Sequence, residues 1–343
     1  MNNQSTVSMC KIALDAMGGD FAPRNEVHAA VQAQSENPSL RILLVGREQD
    51  ILNVLAQDKL QFPKENIVNA DDVITMDDVP TVAIRSKRNS SIVVGTNLVK
   101  NKEADAFVSA GNTGAVMAAA TLILGRIKGI GRPAIGADFP TSLGTMCSVY
   151  DVGASVDSKP SHLFEYAVLG SIYAKEINKI GNPKVGLLSV GEEENKGNEL
   201  VFATQKLLKE SNLNFIGNVE GRDVLNGKAD VIVCDGYVGN IILKFGESVL
   251  TFLKGKVRSY AAEGFINKLK ALVVKNVLKV ALKDMDYETH GGVPLLGVNG
   301  ITIIGHGSSS PLALKNMILK AKKMHEINLI KKFEEELEKY GKD

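Results

Sequence analysis

The chain contains no tryptophan, and aromatic residues make up only 5% of its 343 residues. That scarcity removes the stacking platform on which single-stranded nucleic acids are held. An excess of charge of one sign is also missing. Forty Lys+Arg stand against 39 Asp+Glu, a formal net charge of +1, so the footprint of a nucleic-acid binder is absent. Cysteine is sparse: Cys10, Cys147 and Cys234 form an odd set without metal-ligand spacing. Each lies in or beside an apolar run, as reduced core thiols of a cytosolic protein do. The opening MNNQSTVSMCKIALDAMGGD has no charged n-region and only a short apolar run, unlike a secretory signal. The longest nearly unbroken apolar stretch, AVMAAATLILG from Ala115, falls well short of the roughly 20 residues that cross a bilayer. These features predict a soluble, cytoplasmic protein that touches a membrane at its surface at most.

Familiar catalytic signatures are lacking too. There is no G-x-x-x-x-G-K-[ST], no G-x-G-x-x-G after the first strand, no H-E-x-x-H and no G-x-S-x-G, which excludes P-loop, standard dinucleotide, zincin and nucleophile-elbow chemistry. The histidines, His28, His162, His290, His306 and His325, are scattered.

What is present is a recurring pattern of short apolar or β-branched runs, each followed by a turn and a helical stretch. The runs begin at Lys11 (KIALDA), Arg41 (RILLVG), Asn66 (NIVNA), Asp105 (DAFVSAG), Ala134 (AIGADF), Met146 (MCSVYDVGA), Lys184 (KVGLLSVG), Asn214 (NFIGNVE), Asp230 (DVIVCDG) and Ile301 (ITIIGHG). Several are apolar throughout, as strands are when both faces are covered. Helical segments between them, one opening at Pro23, point to βαβ crossovers and a largely parallel sheet. With no tandem repeat and no Pro/Ser-rich linker, the chain reads as a single α/β domain over 1–343.

The alternation breaks over 239–284, where no strand pattern appears. Between Thr251 and Lys283 eight basic residues face a single acidic one, Glu263. On a helical wheel Ile266, Leu269, Val273, Val277 and Val280 share one side, while Lys268, Lys275 and Lys279 gather on a neighbouring face. A basic amphipathic helix of this kind suits an anionic lipid surface or an acidic partner. An ordinary surface helix, packing its stripe on the core or on a second copy, fits the pattern equally well.

Ligands of open α/β sheets bind beyond the carboxyl ends of the strands. In the segment SAGNTG, Ser109, Gly111, Asn112 and Thr113 form a polar glycine turn that leads into an apolar helix. Such a turn, with a helix start behind it, directs N–H groups at an anion. The segment HGSSSP, with His306, Gly307 and Ser308, repeats the arrangement before the last helices. Either turn alone is an ordinary tight loop with a capping side chain; two in one chain point to a phosphate or phosphoester ligand. Nothing marks an activated serine or cysteine, which suggests that a substrate such as inorganic phosphate brings its own nucleophile.

The segments IALDAMGGD from Ile12, VVGTNLV from Val93, AFVSAGNTGA from Ala106, DVGA from Asp151, KGNEL from Lys196, FIGNVE from Phe215, DGYVGN from Asp235 and HGSS from His306 together resemble the PlsX family. These are bacterial phosphate acyltransferases of phospholipid synthesis. The likeness runs in family order over nearly the whole chain. It departs at Ser155, where asparagine is expected, and at the acidic stretch 192–195.

The resemblance implies transfer of a long-chain fatty acyl group from acyl carrier protein to inorganic phosphate. It implies a three-layer α/β/α sandwich like isopropylmalate dehydrogenase, with a largely parallel mixed sheet and a helical projection. It also implies a homodimer, peripheral association with the inner face of the cell membrane beside a downstream membrane acyltransferase, and no metal or nucleotide cofactor. Catalytic weight falls on Lys196, to offset phosphate charge or protonate the departing sulfur, and on Asn240, to donate to the carbonyl oxygen. Read without the family, Lys196 is a solvated loop lysine and Asn240 a helix N-cap. Asp15, Gly18 and Gly19 are placed at the floor of the site. Lys268, Lys275, Lys279, Ile266, Leu269 and Val273 are placed against carrier protein or membrane. Two other readings stay open: a coenzyme A-dependent phosphotransacetylase or decarboxylating dehydrogenase on the same fold, and a non-catalytic membrane-surface scaffold.

Overall fold

A computed structural model describes residues 9–281, 283 and 291–340, without the side chains at 276 and 279–281. The side chains of Lys279 and Val280, and all of His290, therefore lie outside the described residues. The chain divides into two compact units, Met1–Ile135 with Lys175–Lys179 and His290–Asp343, and Gly136–Ala174 with Ile180–Thr289.

In the first unit the strands run in the order β3 (Ile67–Asn69), β2 (Leu40–Gly46), β1 (Cys10–Asp15), β4 (Ala106–Ser109), β11 (Ile301–Ile304) and β10 (Val293–Leu296). Neighbours from β3 to β11 are parallel, and β10 is antiparallel to β11. All four residues of β4 and of β11 are buried, so both faces of these strands are covered. Helices Arg24–Glu36 and Pro311–Glu326 pack on each other and on β1, and Ser91–Lys100 packs on β1 and β4.

The second unit carries β5 (Ala134–Pro140, from Gly136 onward), β6 (Met146–Tyr150), β9 (Val231–Val233), β7 (Val185–Leu188) and β8 (Phe215–Val219), in that order. Only the β5–β6 pair is antiparallel in this set. Each unit is thus a largely parallel, mixed sheet flanked by helices.

Every apolar run identified in the sequence forms a strand. One strand escapes that reading: β10, with the sequence VPLL. A proline inside a short run argues against a central strand, because it cannot donate to a ladder. Here the pairing of β10 with β5 begins only at Leu295, beyond Pro294. The three cysteines are buried and unpaired. Burial pushes the Cys10 thiol up to about 12, and the Cys147 and Cys234 thiols are raised as well.

The strandless basic region forms two helices, Gly236–Ala262 and Phe265–Ala281, packed on each other. Ile266, Leu269 and Val273 are exposed, as are Lys268 and Lys275. Within one chain the apolar stripe is therefore not core. Among the described residues no helix is long and apolar enough to cross a membrane.

Candidate active site

Three polar turns leave the carboxyl ends of β1, β4 and β11, which are adjacent and parallel. The pairings Leu14↔Val108 and Ile304↔Ser109 fix their register, so the turns emerge side by side. The contact between the first two is backbone on backbone. A Cβ on Gly18 would stand 2.6 Å from the Gly111 nitrogen, and one on Gly111 would stand 3.1 Å from the Gly18 Cα. The third turn closes on the first through the Asp20 N–H, which donates to the Gly307 carbonyl at 2.8 Å. The Gly305 N–H donates to the Ser109 carbonyl at 2.8 Å, tying the third turn to the second.

Beneath the turns, Asp15 is fully buried. Its Oδ1 accepts the Met17 N–H at 3.0 Å and its Oδ2 accepts the Ser109 hydroxyl at 2.6 Å. Ser109 Oγ in turn accepts the Gly111 N–H at 3.0 Å. Burial raises the Asp15 carboxyl above the usual range, against the pull of the hydroxyls of Ser109 and Ser91. Asn112 caps the helix Thr113–Ala119, its Oδ1 accepting from Ala115 at 3.0 Å, and its Nδ2 donates to the Thr75 carbonyl at 3.0 Å. Lys87 holds the same 75–78 loop through Asp78 at 2.6 Å and the Val73 carbonyl at 2.9 Å.

The side chains of Ser109 and Asn112 are thus engaged in building the turn. What the segment offers a ligand is backbone: the N–H groups of Asn112, Thr113 and Gly114 have no partner among the described residues. On the third turn the exposed His306 accepts the Ser308 N–H at Nδ1, 3.3 Å, and meets the Ser308 hydroxyl at 2.8 Å. Ser310 caps Pro311–Glu326.

Sequence reasoning missed two acids here. Asp20 packs its carboxylate on Gly307, where a Cβ would lie 2.6 Å from Oδ1. Glu26, 1% exposed, crowds Gly19 and has no hydrogen-bond partner at Oε2. Desolvation, with Asp15 and Asp20 nearby, pushes the Glu26 carboxyl up to about 8. The MGGD sequence marks Asp20; no pattern marks Glu26, because its depth comes from packing.

Lys196 and Asn240 belong to the second unit. Lys196 is exposed on the loop after β7, and among the described residues its ammonium makes no ion pair. Asn240 is not a helix N-cap: Asp235 caps Gly236–Ala262 by accepting from Val238 at 2.9 Å. Asn240 sits one turn further on and donates to the Val152 carbonyl at 3.2 Å. The buried Asp151 accepts the N–H groups of Gly153, Ala154 and Ser155 at 3.1, 2.9 and 2.7 Å. Ser155, the departure from the family pattern, is 4% exposed, and its hydroxyl donates to the Asp157 carbonyl at 3.2 Å.

The fold is shared with solved structures of low sequence identity. A phosphotransacetylase from Streptococcus pyogenes superposes with a TM-score of 0.62 at 18% identity, covering 92% of this chain and 94% of that one. A 4-hydroxythreonine-4-phosphate dehydrogenase from Klebsiella pneumoniae gives 0.55 at 12% identity, covering 94% and 99%. Curated relatives are far nearer in sequence. The phosphate acyltransferase of Chlorobaculum parvum is 47% identical over 329 residues, 93% of this chain and 96% of the relative. That of Desulfitobacterium hafniense is 49% identical over 331 residues, 96% and 98%. The family model described as fatty acid synthesis protein matches residues 10–332. With nearly its whole length matched, the chain belongs to the fatty acid synthesis protein family, the PlsX family of its sequence motifs.

Proposed function

We propose that the chain is a phosphate acyltransferase that moves a long-chain acyl group from acyl carrier protein to inorganic phosphate. The observation that carries this reading is the convergence of three glycine turns from adjacent parallel strands, with N–H groups at 112–114 that have no partner among the described residues. Backbone donors at a helix start suit a tetrahedral oxyanion. The protein's own thiols are buried and held above their ordinary range, and Ser109 is committed to Asp15. The nucleophile is accordingly the phosphate. Its oxygen attacks the thioester carbon, the C–O bond forms and the C–S bond breaks, and the proton carried by hydrogen phosphate balances the one the departing thiol takes up.

In this reading Gly111, Asn112, Thr113, Gly307, Ser308 and His306 hold phosphate, with Asp15, Gly18 and Gly19 shaping the floor. Lys196 offsets phosphate charge or protonates the sulfur, and Asn240 donates to the carbonyl oxygen, whose negative charge grows during attack. The exposed stripe of Ile266, Leu269 and Val273 beside Lys268 and Lys275 suits a second copy of the chain, the acidic carrier protein and the cytoplasmic face of a membrane, where the next acyltransferase consumes the product.

Incubation with palmitoyl-acyl carrier protein and labelled phosphate tests the reaction. The expected result is label in an acyl phosphate and an equal amount of free carrier protein. Release of carrier without phosphate, or release only from acyl-coenzyme A, overturns it.

A further inference from the structure

The loop that carries Lys196 is held more firmly than a solvated lysine requires. Asn218, on β8 and 3% exposed, donates through Nδ2 to the carbonyls of Glu193 and Lys196, both at 3.0 Å. Its Oδ1 accepts from the buried Gln205 at 3.4 Å. The Lys196 carbonyl takes a second bond from the Ser189 hydroxyl at 3.0 Å. Asn218 faces this loop because β8 is irregular just before it. Val185 pairs with Phe215 but Leu187 with Asn218, so β8 holds one extra residue, and Gly217 takes a φ of +94° there. A bulge of this kind shifts side-chain alternation and re-aims the residues beyond it.

Two of the three glutamates of the loop are occupied elsewhere. Glu192 pairs with Lys228 at 2.8 Å and Arg222 at 3.5 Å, and Glu194 pairs with Lys209 at 2.8 Å. Cations from other elements thus take up Glu192 and Glu194; the Glu193 carboxylate lies beside Gly191 without an ion pair to Lys196 among the described residues, and the Lys196 ammonium is left for an external anion.

We propose that Asn218 is the positioning residue of Lys196: from its bulge in β8 it clamps the loop backbone, so that the unpaired ammonium is presented in one place. This rests on the role given to Lys196 above. Asn218→Asp keeps the size of the side chain and removes its donors; Asn218→Ala removes the side chain beyond Cβ. Each is expected to lower kcat/KM for phosphate by roughly 10- to 100-fold, the scale of a small misplacement. On a Lys196→Ala background the same changes are expected to cost less than about twofold, because residues acting as a unit are non-additive. The accompanying drop in Tm is expected to be equal on both backgrounds. Trace acetylation supplies a readout independent of turnover: phosphate shields Lys196 in the parent and fails to do so in either Asn218 variant, while other lysines label unchanged. Full multiplication of the two losses, or shielding preserved in the variants, overturns the clamp alone. Full activity in Lys196→Ala by itself overturns the role of Lys196, and the clamp with it.

Discussion

Gly18 and Gly111 meet backbone to backbone, with no room for a side chain on Gly18: a Cβ there would lie 2.5 Å from Asp15 Oδ2 and 2.6 Å from the Gly111 nitrogen. Two turns from neighbouring strands are thereby held close enough to exclude a side chain between them.

Gly18→Ala is therefore expected to force the first two turns apart. Overpacking against backbone costs about 1–3 kcal/mol, and the KM for phosphate should rise at least tenfold if the turns hold it. Urea unfolding with phosphate-dependent kinetics measures both. A variant with parental KM would separate these turns from phosphate binding.

Ser109→Ala removes the donor that Asp15 Oδ2 uses at 2.6 Å and the acceptor of the Gly111 N–H. A buried carboxyl left short of a partner costs about 1–3 kcal/mol. The loss should appear in the unfolding midpoint, with an Asp15 carboxyl that titrates still higher by carbon-detected NMR.

Glu26 supplies a pH dependence with a definite sign. Its carboxyl lies at about 8 in the folded chain against 4.5 unfolded, so the folded state binds the extra proton between those values. Stability then falls as pH rises from about 4.5 to about 8, with the full penalty present above 8. Glu26→Gln should leave stability nearly unchanged at pH 4.5 and raise it by a few kcal/mol, to order of magnitude, at pH 9. Denaturant melts across that range decide it; a pH-independent gap between parent and variant would count against a buried neutral acid.

The three cysteines predict slow chemistry. All are buried, with thiols raised by desolvation, so an aromatic disulfide reagent should titrate none rapidly in the folded protein and three after unfolding. Fast reaction of one thiol in the native state would contradict this packing.

On the basic helices, Lys268→Glu with Lys275→Glu is expected to weaken binding to vesicles containing anionic lipid, more strongly at low salt. Ile266→Ser with Val273→Ser addresses the apolar stripe. If it leaves vesicle binding intact and yields monomers by light scattering, the stripe is a dimer surface.

Ten of the strands were legible as short apolar or β-branched runs, and several of these, such as DAFVSA and DVIVCD, are apolar without alternation, the mark of strands covered on both faces. The strand with Pro294 was hidden because an inward proline ordinarily breaks pairing. The glycine turns could be read from composition, whereas their mode of action could not. Asn112 looked like a ligand donor, yet its amide holds the 75–78 loop, a contact between residues far apart in sequence. Glu26 and Asn218 were invisible for the same reason: burial beside Asp15 and a bulge at Gly217 arise only when strands pair. Lys196 stood out through its family motif, and the pairing of Glu192 and Glu194 with cations other than Lys196 emerged only with the coordinates.

The bond from the Gly305 N–H to the Ser109 carbonyl has a consequence for how such a protein can be redesigned. Deleting or inserting one residue within β4 would turn the Ser109 hydroxyl to the opposite side of the sheet and strand Asp15 without it. Under the proposed function a redesign therefore has to leave the lengths of these central strands alone, because the residue count of β4 sets where the turn after Ser109 stands as firmly as the identity of any side chain it carries.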